Sequence, residues 1–252
     1  MLLITLIFPL ISIFSSSLSA MDLNEQKQTI ERLILFTEHG LKKKAQESKE
    51  TDEIHYFFST TERHLSNCVT HTNFLSQDDA ESAIVDLSKK KKPMVWWMTP
   101  LTKPKNLEEL LQKHGFDPYP LTAMECCLQN VKEEDLDKII NAKSPNTVSV
   151  IKNKIDDTYD YQLHCDNQLA SGCSYIILDT WAAIYNLSTQ ENMRKQGLAT
   201  KLIGIILKDL KEQKCSAAYM IAMPITVKIG KKLGFKEIGT INYYNKLKFE
   251  AS

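Results

Sequence analysis

Leu198, Leu202, Ile203, Ile206 and Leu210 recur at helical spacing, while Lys201, Lys208, Lys211 and Glu212 take the intervening positions. One face of this segment must therefore be buried and the other wet. It follows residues 181–189, which read as a strand, and the turn Arg194-Lys195-Gln196-Gly197. Residues 216–222 read as the next strand, Pro224 sits well in a first helical turn, Gly234-Phe235 closes that helix, and a last strand surrounds 238–244. Alternation of strands with helices places the chain in the α/β class. The spacing Arg194-x-x-Gly197-x-Ala199 puts a glycine and a small residue where main-chain N–H groups can approach an anion at a helix start. Taken alone, the same pattern also describes an ordinary helix entry.

The front of the chain has a comparable rhythm. Ile30, Leu33, Ile34 and Leu41 mark a surface helix over 24–44, residues 54–59 and 68–75 read as strands, and Ser76 with Asp79 forms a capping pattern ahead of Ala83, Ile84 and Leu87. The run Pro93-Met94-Val95-Trp96-Trp97-Met98-Thr99-Pro100 is a strand in which Trp96 and Trp97 alternate faces, one toward the core and one as a lining or interface residue. Asn106 caps a short helix ended by Gly115, and 123–128 is the last strand of this half. Residues 132–146 are charged and end in Ser144-Pro145-Asn146, which marks a linker between a front half, 21–131, and a rear half, 147–252. The rear half opens with a strand at 147–151, a polar stretch through Asp160, and strands around Cys165-Asp166-Asn167-Gln168, the composition of a hairpin turn.

Lys plus Arg number 31 and Asp plus Glu 31, so no global field draws in nucleic acid or an anionic membrane. The cluster Lys89 to Lys92 reads as a solvated helix end. The six cysteines include no C-x-x-C pair and no spacing suited to zinc, so no metal is expected. Cys165 and Cys173 flank the hairpin and either face each other or remain free thiols, the latter fitting a reducing, cytoplasmic compartment. Residues 1–20 are apolar with a small-residue tail but lack a basic start, so they read either as an export signal or as the stretch ahead of a true start at Met21. No membrane span is expected after residue 20.

The stretch IYNLSTQENMRKQGLATKL resembles motif A of the Gcn5-related N-acetyltransferase (GNAT) superfamily, whose core is Arg or Gln, two residues, Gly, one residue, then Gly or Ala. GKKLGF is similar to motif B, and PMVWWMTPLTKPKNLEELLQKHGF is similar to the front half of bacterial members whose first lobe is a degenerate copy of the fold. The resemblance is strong over 183–202 and loose over most of 68–244. It implies a mixed sheet flanked by helices, with a second, degenerate N-terminal lobe of similar architecture. It implies acetyl-CoA as co-substrate, with its pyrophosphate on main-chain N–H groups of Arg194, Lys195, Gln196, Gly197, Leu198, Ala199 and Thr200. Leu187, Ser188 and Thr189 match the splayed strand end that pairs with the pantetheine arm and presents an N–H to the thioester carbonyl. The acceptor implied is a primary amine, either a small molecule or a protein.

The chain departs from the pattern in places. Gly230 stands where the family often has a tyrosine that protonates the leaving thiolate, and Met223 stands where a polar residue often meets the cofactor. Only about ten polar residues occupy the place of two helices that help form the acceptor pocket, so the front half supplies that wall, the acceptor is held differently, or the site is vestigial. Glu191 is a conceivable general base or a solvated turn residue, and His164 has no partner for a triad. The competing readings are an acyl-CoA-binding or partner-binding module without catalysis, and an exported binding protein.

Overall fold

The computed structural model describes residues 23–42, 45–60, 67–99, 101–142, 147–155 and 157–247. The expectations for residues 1–20, for a start at Met21 and for the boundary Ser144-Pro145-Asn146 lie outside the described residues. In chain order the elements are α1 (Leu23–Lys42), β1 (Glu47–Glu50), β2 (Ile54–Phe58), β3 (Asn67–Thr72), α2 (Gln77–Ser88), β4 (Met94–Met98), α3 (Leu107–Lys113), β5 (Asp117–Cys127) and α4 (Glu133–Ile140), followed by β6 (Val148–Ile155), β7 (Thr158–Cys165), β8 (Gln168–Leu178), β9 (Trp181–Thr189), α5 (Leu198–Glu212), β10 (Ala217–Ala222), α6 (Pro224–Lys232) and β11 (Lys236–Lys246). The architecture is a large mixed sheet flanked by helices.

All eleven strands join in one sheet, ordered β1-β2-β3-β4-β11-β5-β10-β9-β8-β7-β6. The run β3-α2-β4-α3-β5 is repeated as β9-α5-β10-α6-β11, with β3 parallel to β4 and β9 parallel to β10. The last strand of each run crosses over. β5 pairs with β10, β11 pairs with β4, and the two pair with each other at the centre. The strand expected over 123–128 is β5, the last strand of the front run, but it begins earlier, at Asp117. Pro118 and Pro120 hid that start. They precede Thr122, where pairing with β10 begins, so this stretch has only β11 alongside and its other side is an edge, where proline is tolerated.

Three further expectations change. Residues 132–142 are not a bare linker, because α4 lies along α5 so closely that a Cβ on Gly204 would stand 3.3 Å from Ile139. The supposedly wet face of α5 is therefore used. Lys208 pairs with Asp137 at 2.7 Å, Lys201 donates to the Ala142 carbonyl at 2.9 Å, and Lys211 donates to the Val131 carbonyl. The polar stretch after Ile151 is the rest of β6 and a tight return into β7, with Ile155 opposite Thr158. Trp96 and Trp97 do take opposite faces, but both are buried, Trp97 in the layer formed with Ile30 and Leu33 of α1.

The cap and hairpin-turn readings agree with the fold. Ser76 caps α2 by accepting the Asp79 N–H at 3.1 Å. Asn106 occupies the cap position of α3 through its carbonyl, while its side chain instead donates to Gln77 at 2.7 Å. The predicted hairpin turn is present, with Asp166 and Asn167 both at positive φ. None of the six cysteines forms a disulfide, and Cys165 and Cys173 lie opposite Gln168 and Tyr161 rather than each other. Lys90 binds Glu47 at 2.6 Å and Lys92 donates to the Ser59 carbonyl at 2.8 Å, so the lysine cluster partly fastens the sheet edge. Among the described residues no helix is long and apolar enough to cross a membrane, and no group of three or more His, Cys, Asp or Glu could hold a metal ion.

Candidate functional site

Parallel pairing of β9 with β10 covers Trp181 to Ile184 and then stops, although β9 continues to Thr189 and β10 to Ala222. Two parallel strands therefore part company halfway along. A bulge helps: Gly172 lies opposite Ser188 but Ser174 lies opposite Tyr185, and Asn186 adopts positive φ to take up the extra residue. The Gln190 N–H donates to the Ala170 carbonyl at 2.9 Å, and Ser171 Oγ donates to the Ser188 carbonyl at 2.6 Å. Residues 190 and 188 thus face β8, and strand alternation turns the main-chain groups of Leu187 and Thr189 into the gap.

After β9 the chain makes a single 3-10 turn, Glu191–Met193, and enters α5. The sign of φ alternates over Lys195 at +65°, Gln196 at negative φ and Gly197 at +78°. Such alternation curls successive N–H groups into a concave anion seat. Gly197 is the N-cap, with no side chain to occupy the free donors of the first turn. Among the described residues no protein acceptor takes the N–H groups of residues 196–200, the first closed bond of the helix being Lys201 N–H to the Gly197 carbonyl at 2.9 Å. A Cβ built on Gly197 would meet nothing within 4 Å. The bend is open.

The sequence-predicted site residues thus come together at one end of β9 and the start of α5. Their side chains have separate duties. Leu198 is buried in the core, leaving only its N–H for a ligand, while Ala199 and Thr200 are half-buried. Lys195 and Gln196 are exposed. Arg194 Nε donates to the Thr189 carbonyl at 3.2 Å, tying the strand end to the turn. Glu191 is exposed, and His164 Nε2 lies 3.4 Å from Gln162 Oε1 with no catalytic partner.

The front run offers an internal control. Its strands β3 and β4 also separate, after Val69 and Trp96, but Lys103 forms a parallel bridge with Asn73 and its N–H donates to the Thr72 carbonyl at 3.0 Å. The protein's own backbone fills that gap. At α2, Ser76 Oγ takes a first-turn N–H, and Asp78 and Asp79 place negative charge where an anion would sit.

No protein-family model matches the sequence, and no curated protein is similar to it at a significant level. Solved structures are. A GCN5-related N-acetyltransferase from Kribbella flavida is similar with a TM-score of 0.61 at 10% identity, over 85% of this chain and 94% of that one. A GCN5-related N-acetyltransferase-like protein from Streptococcus suis gives 0.58 at 14% identity, over 88% and 99%. The chain has the GCN5-related N-acetyltransferase fold. A tandem GNAT protein from the clavulanic acid biosynthesis pathway is similar over 89% of this chain and 96% of that one, with a TM-score of 0.51 at 8% identity. That tandem arrangement matches the repeated β-α-β-α-β run seen here.

Two features of this GNAT fold lay beyond sequence reasoning. At Gly230 a Cβ would stand 2.3 Å from Met220 Cε and 3.0 Å from Met124 Sδ, so this position faces packed thioethers. The second is a polar groove on the sheet face opposite α5, lined by β7, β8 and the end of β9. Phe36 of α1 covers the neighbouring part of that face, its ring 4.9 Å from that of Tyr185.

Proposed function

We propose that the protein is an N-acetyltransferase that uses acetyl-CoA and acylates a primary amine. The observation that carries this reading is the side-chain-free bend at Gly197, set beside parallel strands whose pairing stops at Ile184. Free N–H groups at the positive end of a 15-residue helix suit a diphosphate. Leu187 and Thr189 present strand-type donors and acceptors to an extended arm lying in the gap. Bound acetyl-CoA supplies an activated thioester. The chain orients it, and the Leu187 N–H stabilises charge on the carbonyl oxygen as the amine attacks, an effect worth about 3 kcal/mol. A thiol has a pKa of about 8.5, so the thiolate leaves without a positioned acid, as the burial of the Gly230 position requires.

Calorimetric titration with acetyl-CoA, followed by thiol release in the presence of amines, tests this. Gly197→Glu places a carboxylate in the seat and a Cβ on a backbone at φ +78° and is expected to weaken acetyl-CoA binding by about 100-fold or more. Absence of saturable binding at millimolar protein would overturn the proposal. A second reading, an acyl-CoA-binding module without catalysis, is favoured by the methionines packed at Gly230; binding without thiol release across the amine panel would select it.

A further inference from the structure

The groove opposite α5 has a specific charge pattern. Register places Asp160 opposite Ser174, Gln162 opposite Gly172, and Gly172 opposite Ser188, so Asp160, Gln162, Ser174 and Ser188 point to one face. Asn186 and Gln190 complete its rim. Ser174 Oγ donates to Asp160 Oδ1 and fixes the carboxylate. Among the described residues no Lys, Arg or His forms an ion pair with Asp160, and no cationic residue lines the groove. The other linings are hydroxyls, amides and backbone, with Leu169 as an exposed apolar side chain at the rim. Asp209, on the opposite face, is by contrast neutralised by Lys152 at 2.8 Å.

We propose that this groove is the acceptor site and that it selects small amines carrying a second positive charge, which rests on Asp160. This inference builds on the acetyl-transfer reading. Asp160 lies two strands away from the β9 edge where Leu187 faces the gap, roughly 10 Å at ~4.8 Å per strand spacing. The acceptor is therefore a polycationic molecule about that long, its neutral amine at the splayed strands and its distal ammonium at the carboxylate. Hydroxyl and amide linings suit the polar stem of either a polyamine or an amino sugar. A simple alkylamine lacks the second charge and leaves Asp160 unmatched.

The full chain is assayed for thiol release from acetyl-CoA with spermidine, with the amino sugar neamine and with butylamine. Spermidine or neamine is expected to exceed butylamine in kcat/KM by about tenfold or more, the scale of one partly buried ion pair. Asp160→Asn is expected to remove that preference through KM for spermidine and neamine while leaving acetyl-CoA affinity unchanged. Equal use of butylamine by the native protein, or an equal loss for all three amines in the variant, would overturn the inference. Direct titration of spermidine and neamine without acetyl-CoA separates the two proposals. Binding lost in Asp160→Asn upholds the groove even if acetyl-CoA fails to bind; acetyl-CoA binding with no Asp160-dependent amine binding or preference sinks the groove and leaves the acyl-donor site standing.

Discussion

Two glycines in the rear half do opposite things. Gly197 is needed for its conformation, at φ +78°, and for the emptiness around it. Gly230 is needed for the fullness around it. An added Cβ there would overlap Met220 Cε, an atom at the end of a flexible chain, so Gly230→Ala is expected to cost about 1–2 kcal/mol as the methionine swings aside. Gly230→Tyr has no such escape with Met124 also in contact, and it is expected to lose about 3 kcal/mol or more without raising turnover. Thermal denaturation and thiol-release assays on both variants check this. A faster and equally stable tyrosine variant would show that the position faces the cleft. In sequence both glycines are legible as glycines, but φ and neighbours alone tell an open seat from a packed contact.

At the scale of elements, α2 and α5 occupy matching places and differ in how they begin. Ser76 satisfies its own helix, whereas Gly197 leaves the first turn of α5 to a ligand. Acetyl-CoA is therefore expected to bind with a stoichiometry of one per chain, in the native protein and in Ser76→Ala alike, the variant losing about 1 kcal/mol of stability with its cap. A stoichiometry of two would show that the front gap opens. The far end of α5 is pinned differently. Asp209 accepts from Tyr161 at 2.6 Å, from Lys152 at 2.8 Å, from Gln213 at 3.1 Å and from Tyr175. Burial acts to raise its pKa, but the bonds from Lys152, Tyr161 and Tyr175 prevail and hold it below the usual carboxylate value. A depressed folded-state pKa stabilises the fold above the unfolded value of about 4 and loses that contribution as pH falls through the folded value. Acid melting curves should show Asp209→Asn less stable by about 2 kcal/mol at neutral pH, with the deficit shrinking below pH ~4. A deficit unchanged by acid would exclude the charge as its cause.

For the whole molecule the crossing of β5 and β11 matters most. Neither run closes its own sheet, because each gives its last strand to the other. Residues 147–252 expressed alone lack the strand that covers β10, leaving an exposed edge and a core without Met124, Cys126 and Leu128. They are expected to show no cooperative unfolding transition, and co-expression with residues 21–146 is expected to restore one. A sharp melt of the rear fragment alone would refute the shared-strand account. The amino-acid order by itself determined the alternation of strands and helices, the cap at Ser76, the turn at Asp166-Asn167 and the glycine entry to α5, since each depends on the conformational preferences and apolar spacing of a few neighbouring residues. Only the tertiary structure decided which strands adjoin, that 132–142 packs along α5, that backbone bridges the front gap, and that no cation among the described residues pairs with Asp160. Those are matters of what comes near from 30 to 130 residues away, and local preference carries no record of it.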